Sequence, residues 1–180
     1  EKGRNTYWAP EIIEHEGIYH MYVSYVRGIP TTWDCPRTIL HYISENLWDW
    51  KLEGPLSLSS DRVIDACVAS LPDGTWKMWY KDEVHDSHTY TAFSEDLYHW
   101  TAGGPEITDC SHEGPNVFFF KNHYWMITDP WEGLGVYRSD DMKHWTRCPN
   151  ILAQPGSRTD DGTIAAHADV LVHKDRAYIF

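Results

Sequence analysis

Ser94-Glu95-Asp96-Leu97-Tyr98-His99-Trp100 decides how this chain is read, because the same pattern returns twice more. Ser-x-x-Leu-x-x-Trp also fits Ser44-Glu45-Asn46-Leu47-Trp48-Asp49-Trp50. With Met in place of Leu it fits Ser139-Asp140-Asp141-Met142-Lys143-His144-Trp145. The closing tryptophans stand 50 and then 45 residues apart. Self-similarity at such a period marks a repeat architecture.

The flanks repeat as well. An alternating apolar run (39–44, 88–94, 134–139) leads into each Ser, and an aromatic-rich run (19–25, 76–80, 123–127) comes before it. Ahead of these stand turn signals, Glu16-Gly17, Pro72-Asp73-Gly74 and Lys121-Asn122. Lys174-Asp175 followed by Ala177-Tyr178-Ile179-Phe180 begins another copy. Each unit opens on a short apolar strand: Ile12-Ile13, Cys67-Val68-Ala69, Val117-Phe118-Phe119 or Val170-Leu171-Val172. An edge strand such as Lys51-Leu52-Glu53 closes it. Period-two alternation with Asp-Gly-type punctuation predicts hairpins. Four strands per unit of this length are the proportions of a β-propeller blade. No stretch keeps a 3.6-residue apolar period over three turns, which disfavours a helical solenoid. The expected fold is all-β, one partial propeller over 1–180. Its blades fall at 8–55, 63–106 and 113–153, with an incomplete one at 166–180.

The Ser-to-Trp segment reads as structural. Its Ser and Asp/Asn side chains are expected to bond nearby backbone groups, while Leu and Trp fill the gap between blades. It is similar to the aspartate box of sialidases but lacks that box's Gly and its spacing, so no sialidase chemistry follows.

Composition narrows the function. Of the 180 residues 42% are apolar, which excludes intrinsic disorder. No apolar run approaches the roughly 20 residues of a membrane helix, so no membrane partner is expected. A net charge of −12 without a Lys/Arg cluster argues against nucleic acid. Ten Trp and eleven Tyr suggest stacking surfaces for a neutral ligand, or else structural aromatics of a repeat fold. Cys35, Cys67, Cys110 and Cys148 form no close pair and are expected to be free thiols. The compartment stays open.

Aligning the units on their turns places Ala9, Asp65, Glu113 and His167 at equivalent positions, to within one residue, where opening strands meet the propeller axis. Two carboxyls and an imidazole from three blades make an acid/base constellation. Crowded carboxyls in a partly dry funnel separate in pKa, so that one can hold a proton near neutral pH.

Trp8-Ala9-Pro10-Glu11-Ile12, Ile64-Asp65-Ala66-Cys67-Val68, Glu113-Gly114-Pro115-Asn116-Val117 and His167-Ala168-Asp169-Val170 resemble successive blade openings of glycoside hydrolase family 43. Members of that family are five-bladed propellers that cleave arabinose- and xylose-containing glycans. Glu-Gly-Pro is the most specific piece. The resemblance implies hydrolysis with inversion of an oligo- or polysaccharide. By position it makes Glu113 the general acid and Asp65 the carboxylate that orients it and raises its pKa. It makes His167 the channel histidine that helps hold a hydrated calcium. Trp8 and Trp33 become candidates for sugar stacking.

The chain also departs from the family. The family's general base is an Asp upstream of Trp-Ala-Pro. Only seven residues precede Trp8, and none is Asp. A five-blade domain needs roughly 225–280 residues. The expectation is therefore a piece of a longer enzyme that carries the acid without the base, and whose open blade faces favour self-association. Glu11 is the nearest substitute for the base, yet one residue of strand offset turns it to the opposite face. Asp160-Asp161-Gly162 reads as a plain turn. The Arg-Asp-Pro signature of sucrose- and fructan-cleaving propellers is absent, as is the basic pocket of phosphorolytic ones. The alternative is a carbohydrate-binding propeller without turnover.

Overall fold

The computed structural model describes residues 3–180. Strands β1 (Thr6–His15), β2 (Ile18–Val26), β3 (Thr38–Ser44) and β4 (Lys51–Pro55) form one antiparallel meander. Strands β5 (Val63–Ser70), β6 (Trp76–Asp82), β7 (His88–Ser94) and β8 (Thr101–Ile107) form a second. Strands β9 (Glu113–Phe120), β10 (His123–Asp129), β11 (Leu134–Ser139) and β12 (Thr146–Ile151) form a third, and the hairpin β13 (Val170–His173) and β14 (Arg176–Ile179) follows.

Local chemistry sets the hairpins. Glu16-Gly17 and Lys121-Asn122 are two-residue loops with positive φ at both positions (51° and 82°, 50° and 64°). That twist matches the flanking strands. In the second sheet Gly74, at φ 86°, closes the Leu71–Thr75 turn.

The recurrent Ser segment is the same backbone device three times. Ser94 Oγ accepts the N–H groups of Asp96 (3.2 Å) and Leu97 (2.9 Å), and Asp96 Oδ1 accepts those of Tyr98 and His99 (both 2.8 Å). Ser44 with Asn46, and Ser139 with Asp141, repeat it. Each device turns its fourth residue to positive φ: Leu47 65°, Leu97 65°, Met142 57°.

The turned side chain then packs on the blade before it. Leu97 joins the cluster of Tyr22, Ile39, Val63, Met78 and Ala92, and its carbonyl accepts the Tyr22 hydroxyl at 2.6 Å. Met142 joins Trp79, Ile107, Met126 and Tyr137. A third cluster of Ile127, Leu134, Val136 and Ala168 links the third sheet to the segment entering β13. These three apolar clusters thus lie between successive blades, and a fourth, of Val23, Tyr25 and Leu40, lies within the first sheet. Leu47 breaks the expected rule and is 45% exposed, because among the described residues no sheet precedes its own. All four cysteines are free thiols, as their spacing suggested.

Strands β1, β5, β9 and β13 are innermost and touch in that order. Each of the first three slips register near its start: between Trp8 and Pro10, between Ile64 and Cys67, and opposite the step from Ile127 to Asp129. The residue at each slip, and its counterpart before β13, has left-handed backbone: Ala9 (φ 45°), Asp65 (59°), Gly114 (56°) and His167 (36°). Three of them bear side chains, for which this region is disfavoured and clusters at functional sites. The expected alignment is corrected by one residue: the position equivalent to Asp65 and His167 belongs to Gly114, and Glu113 stands one step upstream. A Cβ on Gly114 would lie 3.0 Å from the His167 ring. The glycine is what lets two openings close on each other.

Candidate active site

The four openings meet around a cavity of about 160 Å³ lined by Ala9, Glu11, Asp65, Asn116, His167 and Asp169, among others. Asp65 is 3% exposed; its own N–H donates to Ser24 Oγ at 2.9 Å, and its Oδ2 accepts the Gly114 N–H at 3.2 Å. Its Oδ1 is buried with no protein partner. Burial pushes the Asp65 carboxyl up to about 6; His167 opposes the shift, Glu113 adds to it, and the Gly114 N–H and Lys81 oppose it.

Glu113 stands at the start of β9, one residue before Gly114 on the cavity wall. One residue earlier, His112 is fully buried. Its Nδ1 lies 2.8 Å from the Cys110 carbonyl and its Nε2 lies 2.6 Å from Thr89 Oγ1. A carbonyl only accepts, so Nδ1 carries the proton and Nε2 accepts the threonine hydroxyl. This clamp ties the approach to β9 onto the second sheet. Glu113 Oε2 accepts from Lys81 Nζ at 3.0 Å, and Glu113 Oε1 lies 4.0 Å from His167 Nδ1. The His167 backbone N–H donates to Asp129 Oδ2 at 3.0 Å. Asp65, Glu113 and His167 are therefore brought together by inter-blade hydrogen bonds, although their codons lie far apart.

Trp8 and Trp33 also meet, with ring centroids 5.7 Å apart. Trp33 is 51% exposed, its Nε1 donates to Glu83 Oε1 at 3.2 Å, and the Arg37 guanidinium lies 4.3 Å over its ring. Glu83 also pairs with Arg37 and, at 2.9 Å, with Lys81. A polar chain thus runs from the aromatic pair through Glu83 and Lys81 to Glu113. Trp131 lies on its other flank, with Lys81 Nζ 5.4 Å over the ring.

Lys81, Glu83, Arg37 and Trp131 are absent from the sequence reading. The only available signal was a lysine closing the apolar run Trp76–Tyr80, an ionisable group where an inward-facing strand has little room for one.

Glu11 corrects the sequence expectation directly. It does not turn away: the register slip at Ala9 sets it on the cavity wall, where its Oε1 accepts the Val68 N–H at 2.8 Å. Burial pushes its carboxyl up to about 7, the Val68 N–H works against this and the Asp169 charge adds to it. Cys67 and Asn116 hold the same rank in their strands, and each also bonds the following blade. Cys67 Sγ accepts from Val117 N, and Asn116 Nδ2 donates to Asp169 Oδ1.

A raised carboxyl pKa means the folded state binds the proton more tightly. The stability this contributes is complete below the unfolded value of 4.5 and is lost as pH rises through 7. Glu11→Gln is accordingly expected to match the parent protein in stability at pH 4 and to exceed it at pH 8 by up to about 3 kcal/mol, read as a higher Tm. Thermal melts at the two pH values check this. An equal gain at both would exclude charge burial as the cause.

Asp160-Asp161-Gly162 forms a turn closed on itself, in which Asp161 Oδ1 accepts the Arg158 N–H and Asp160 pairs with the Arg158 side chain. Calcium takes six to eight oxygen ligands. Among the described residues no three His, Cys, Asp or Glu side chains converge as a metal-ligand set. A hydrated ion beside His167 would be held through water rather than by such a set, and no step below runs through one.

No family model matches this chain, and no curated protein does. Solved structures do. A thermostable family-43 glycoside hydrolase aligns over 92% of this chain and 61% of its own, at 23% identity and a TM-score of 0.73. An exo-1,5-α-L-arabinanase from a bovine ruminal metagenomic library aligns over 96% and 67%, at 16% identity and 0.66. A family 117 glycoside hydrolase of the marine bacterium Zobellia galactanivorans aligns over 82% and 56%, at 16% identity and 0.68. This chain spans 51–61% of the length of the first structures it matches. At these identities the likeness establishes the fold: an all-β propeller architecture shared with solved glycoside hydrolases.

Proposed function

We propose that this protein hydrolyses O-glycosidic bonds of arabinofuranoside- or xyloside-type glycans with inversion, Glu113 acting as general acid and Asp65 as the carboxyl that orients it. The reading is carried by one observation: the N–H of Gly114, the residue after Glu113, donates to Asp65 Oδ2, so the strand starts that bear the two carboxyls lie side by side in neighbouring blades. Inverting glycoside cleavage requires a carboxyl that protonates the leaving oxygen and a partner that fixes its geometry. Asp65 lines the cavity, and its buried Oδ1 has no protein partner, leaving a hydrogen bond that a sugar hydroxyl would complete. The Trp8–Trp33 pair offers apolar faces of the kind that stack on sugar rings. The His167 ring lies beside Glu113, its Nδ1 4.0 Å from Oε1. No residue of this chain is assigned the part of general base.

The Lys81–Glu113 ion pair favours a second reading. An ammonium at 3.0 Å favours the charged carboxylate over the proton donor, as suits a carbohydrate-binding propeller without turnover. Proton NMR of the first sugar released from aryl arabinofuranosides and xylosides separates the two. Inverting hydrolysis yields the opposite anomer, and a retained anomer would exclude direct attack by water. Saturable glycan binding with no release of sugar would establish the second reading instead.

A further inference from the structure

We propose that Trp131 is a sugar-binding residue, and that with the Trp8–Trp33 pair it takes a length of neutral glycan chain rather than one terminal sugar. The inference rests on the reading of this face as glycan-binding and holds with or without turnover. Trp131 stands in the short connection between β10 and β11, and its backbone is left-handed, at φ 60°. Bulky residues avoid that region. Where Leu97 and Met142 adopt it, their side chains are buried in the clusters between blades. Trp131 belongs to none of the four apolar clusters of the described residues and stays 49% exposed. Core packing therefore does not account for its backbone. A buried carboxylate holds it instead: Asp129, 2% exposed, accepts the Trp131 N–H on Oδ1 at 2.8 Å and the His167 N–H on Oδ2 at 3.0 Å. One side chain thus fixes both the loop of the indole and the left-handed histidine at the axis. Strain maintained without a packing gain marks functional positions.

What surrounds the ring says what it binds. The Lys81 ammonium lies 5.4 Å over it, and the same ammonium bonds Glu83 Oε1 at 2.9 Å and Glu113 Oε2 at 3.0 Å. Glu83 Oε1 also accepts the Trp33 indole N–H at 3.2 Å. Connections from three successive blades, β2 to β3, β6 to β7 and β10 to β11, therefore bring Trp33, Glu83 and Trp131 together. The result is aromatic at both ends and charged between them. Sugar rings match that pattern, since their C–H faces suit an indole and their hydroxyls suit carboxylates and an ammonium. Paired charges of both signs favour a neutral ligand over an ionic one. Glu83 and Lys81 stand between the two indoles, so the surface suits a ligand longer than one sugar ring.

The test titrates isotope-labelled protein with arabinopentaose and xylopentaose and follows the indole N–H resonances, that of Trp131 being assigned by its absence in Trp131→Asn. Asparagine tolerates left-handed backbone and keeps the N–H that Asp129 accepts, so the variant removes the ring and leaves the loop. At least one pentaose is expected to move the Trp131 and Trp33 resonances together. Trp131→Asn is expected to weaken its binding about tenfold or more. Trp131→Tyr restores an aromatic face and most of the affinity, and it supplies the assignment if the asparagine variant fails to fold. In the parent protein the pentaose should bind more tightly than the matching biose, and Trp131→Asn should lose that difference. Sugar released during the titration reports turnover separately. Binding that moves Trp33 but leaves the Trp131 resonance and the affinity of Trp131→Asn unchanged would overturn the proposal and spare the glycan-binding reading. A parent protein that binds neither pentaose would remove both.

Discussion

With an unactivated arabinofuranoside as substrate, Glu113→Gln is expected to lower kcat/KM by about 10²–10⁴-fold. The substitution keeps the side chain's length and an oxygen that can still accept from Lys81 Nζ. It removes only the dissociable proton. Dependence on the leaving group makes the result specific. A nitrophenolate departs with little protonation, so on such substrates the loss should shrink, whereas an alkoxide leaving group exposes the whole of it. A loss of equal size across leaving groups would mean damaged binding rather than a missing acid, and no loss would remove Glu113 from the chemistry.

The largest expected effect on stability lies at the opposite end of the same strand. Lys77 is 2% exposed, and its Nζ donates to Glu106 Oε2 at 2.5 Å and to the Met142 carbonyl at 2.7 Å. Glu106 Oε1 in turn accepts the indole N–H groups of Trp79 (2.7 Å) and Trp145 (2.6 Å). One buried ion pair therefore joins the second sheet to the Ser-to-Trp segment of the third. Lys77→Met would leave the carboxylate without its cation and the carbonyl without its donor, a loss of about 3–5 kcal/mol. A urea midpoint shifted strongly downward is the expected observation. Combining it with Glu106→Gln should cost less than the sum of the single changes, because no unpaired charge then remains. Strict additivity would show that the pair does not couple.

The two lysines of β6 also mark how far the sequence could be read. Both sit in a run of Trp, Met and Tyr, and neither its length nor its alternation shows that Lys77 finds Glu106 or that Lys81 finds Glu113. Those partners are 29 and 32 residues away. The Ser segments were legible because the side-chain bonds of Ser and Asp/Asn that turn their backbone fall within three residues, and the hairpin turns because their loops are two residues long. Asp65 was legible because a carboxyl before an apolar strand is conspicuous. Glu11 was misread because strand parity fails wherever a register slip intervenes. The equivalence of Glu113 was off by one for the same cause. Trp8 and Trp33 could be nominated as aromatics, but their meeting through a loop that also carries Arg37 could not.

The chain's order of residues determined by itself the repeat, the strand content, the turns and the absence of disulfide spacing, since each depends on near neighbours and a period of two. Tertiary structure alone decided which face Glu11 presents, that Gly114 rather than Glu113 takes the left-handed position, and that Lys81 grips Glu113. These follow from backbone slips and contacts between blades, where a displacement of a single residue reverses the direction of a side chain and no local pattern records it.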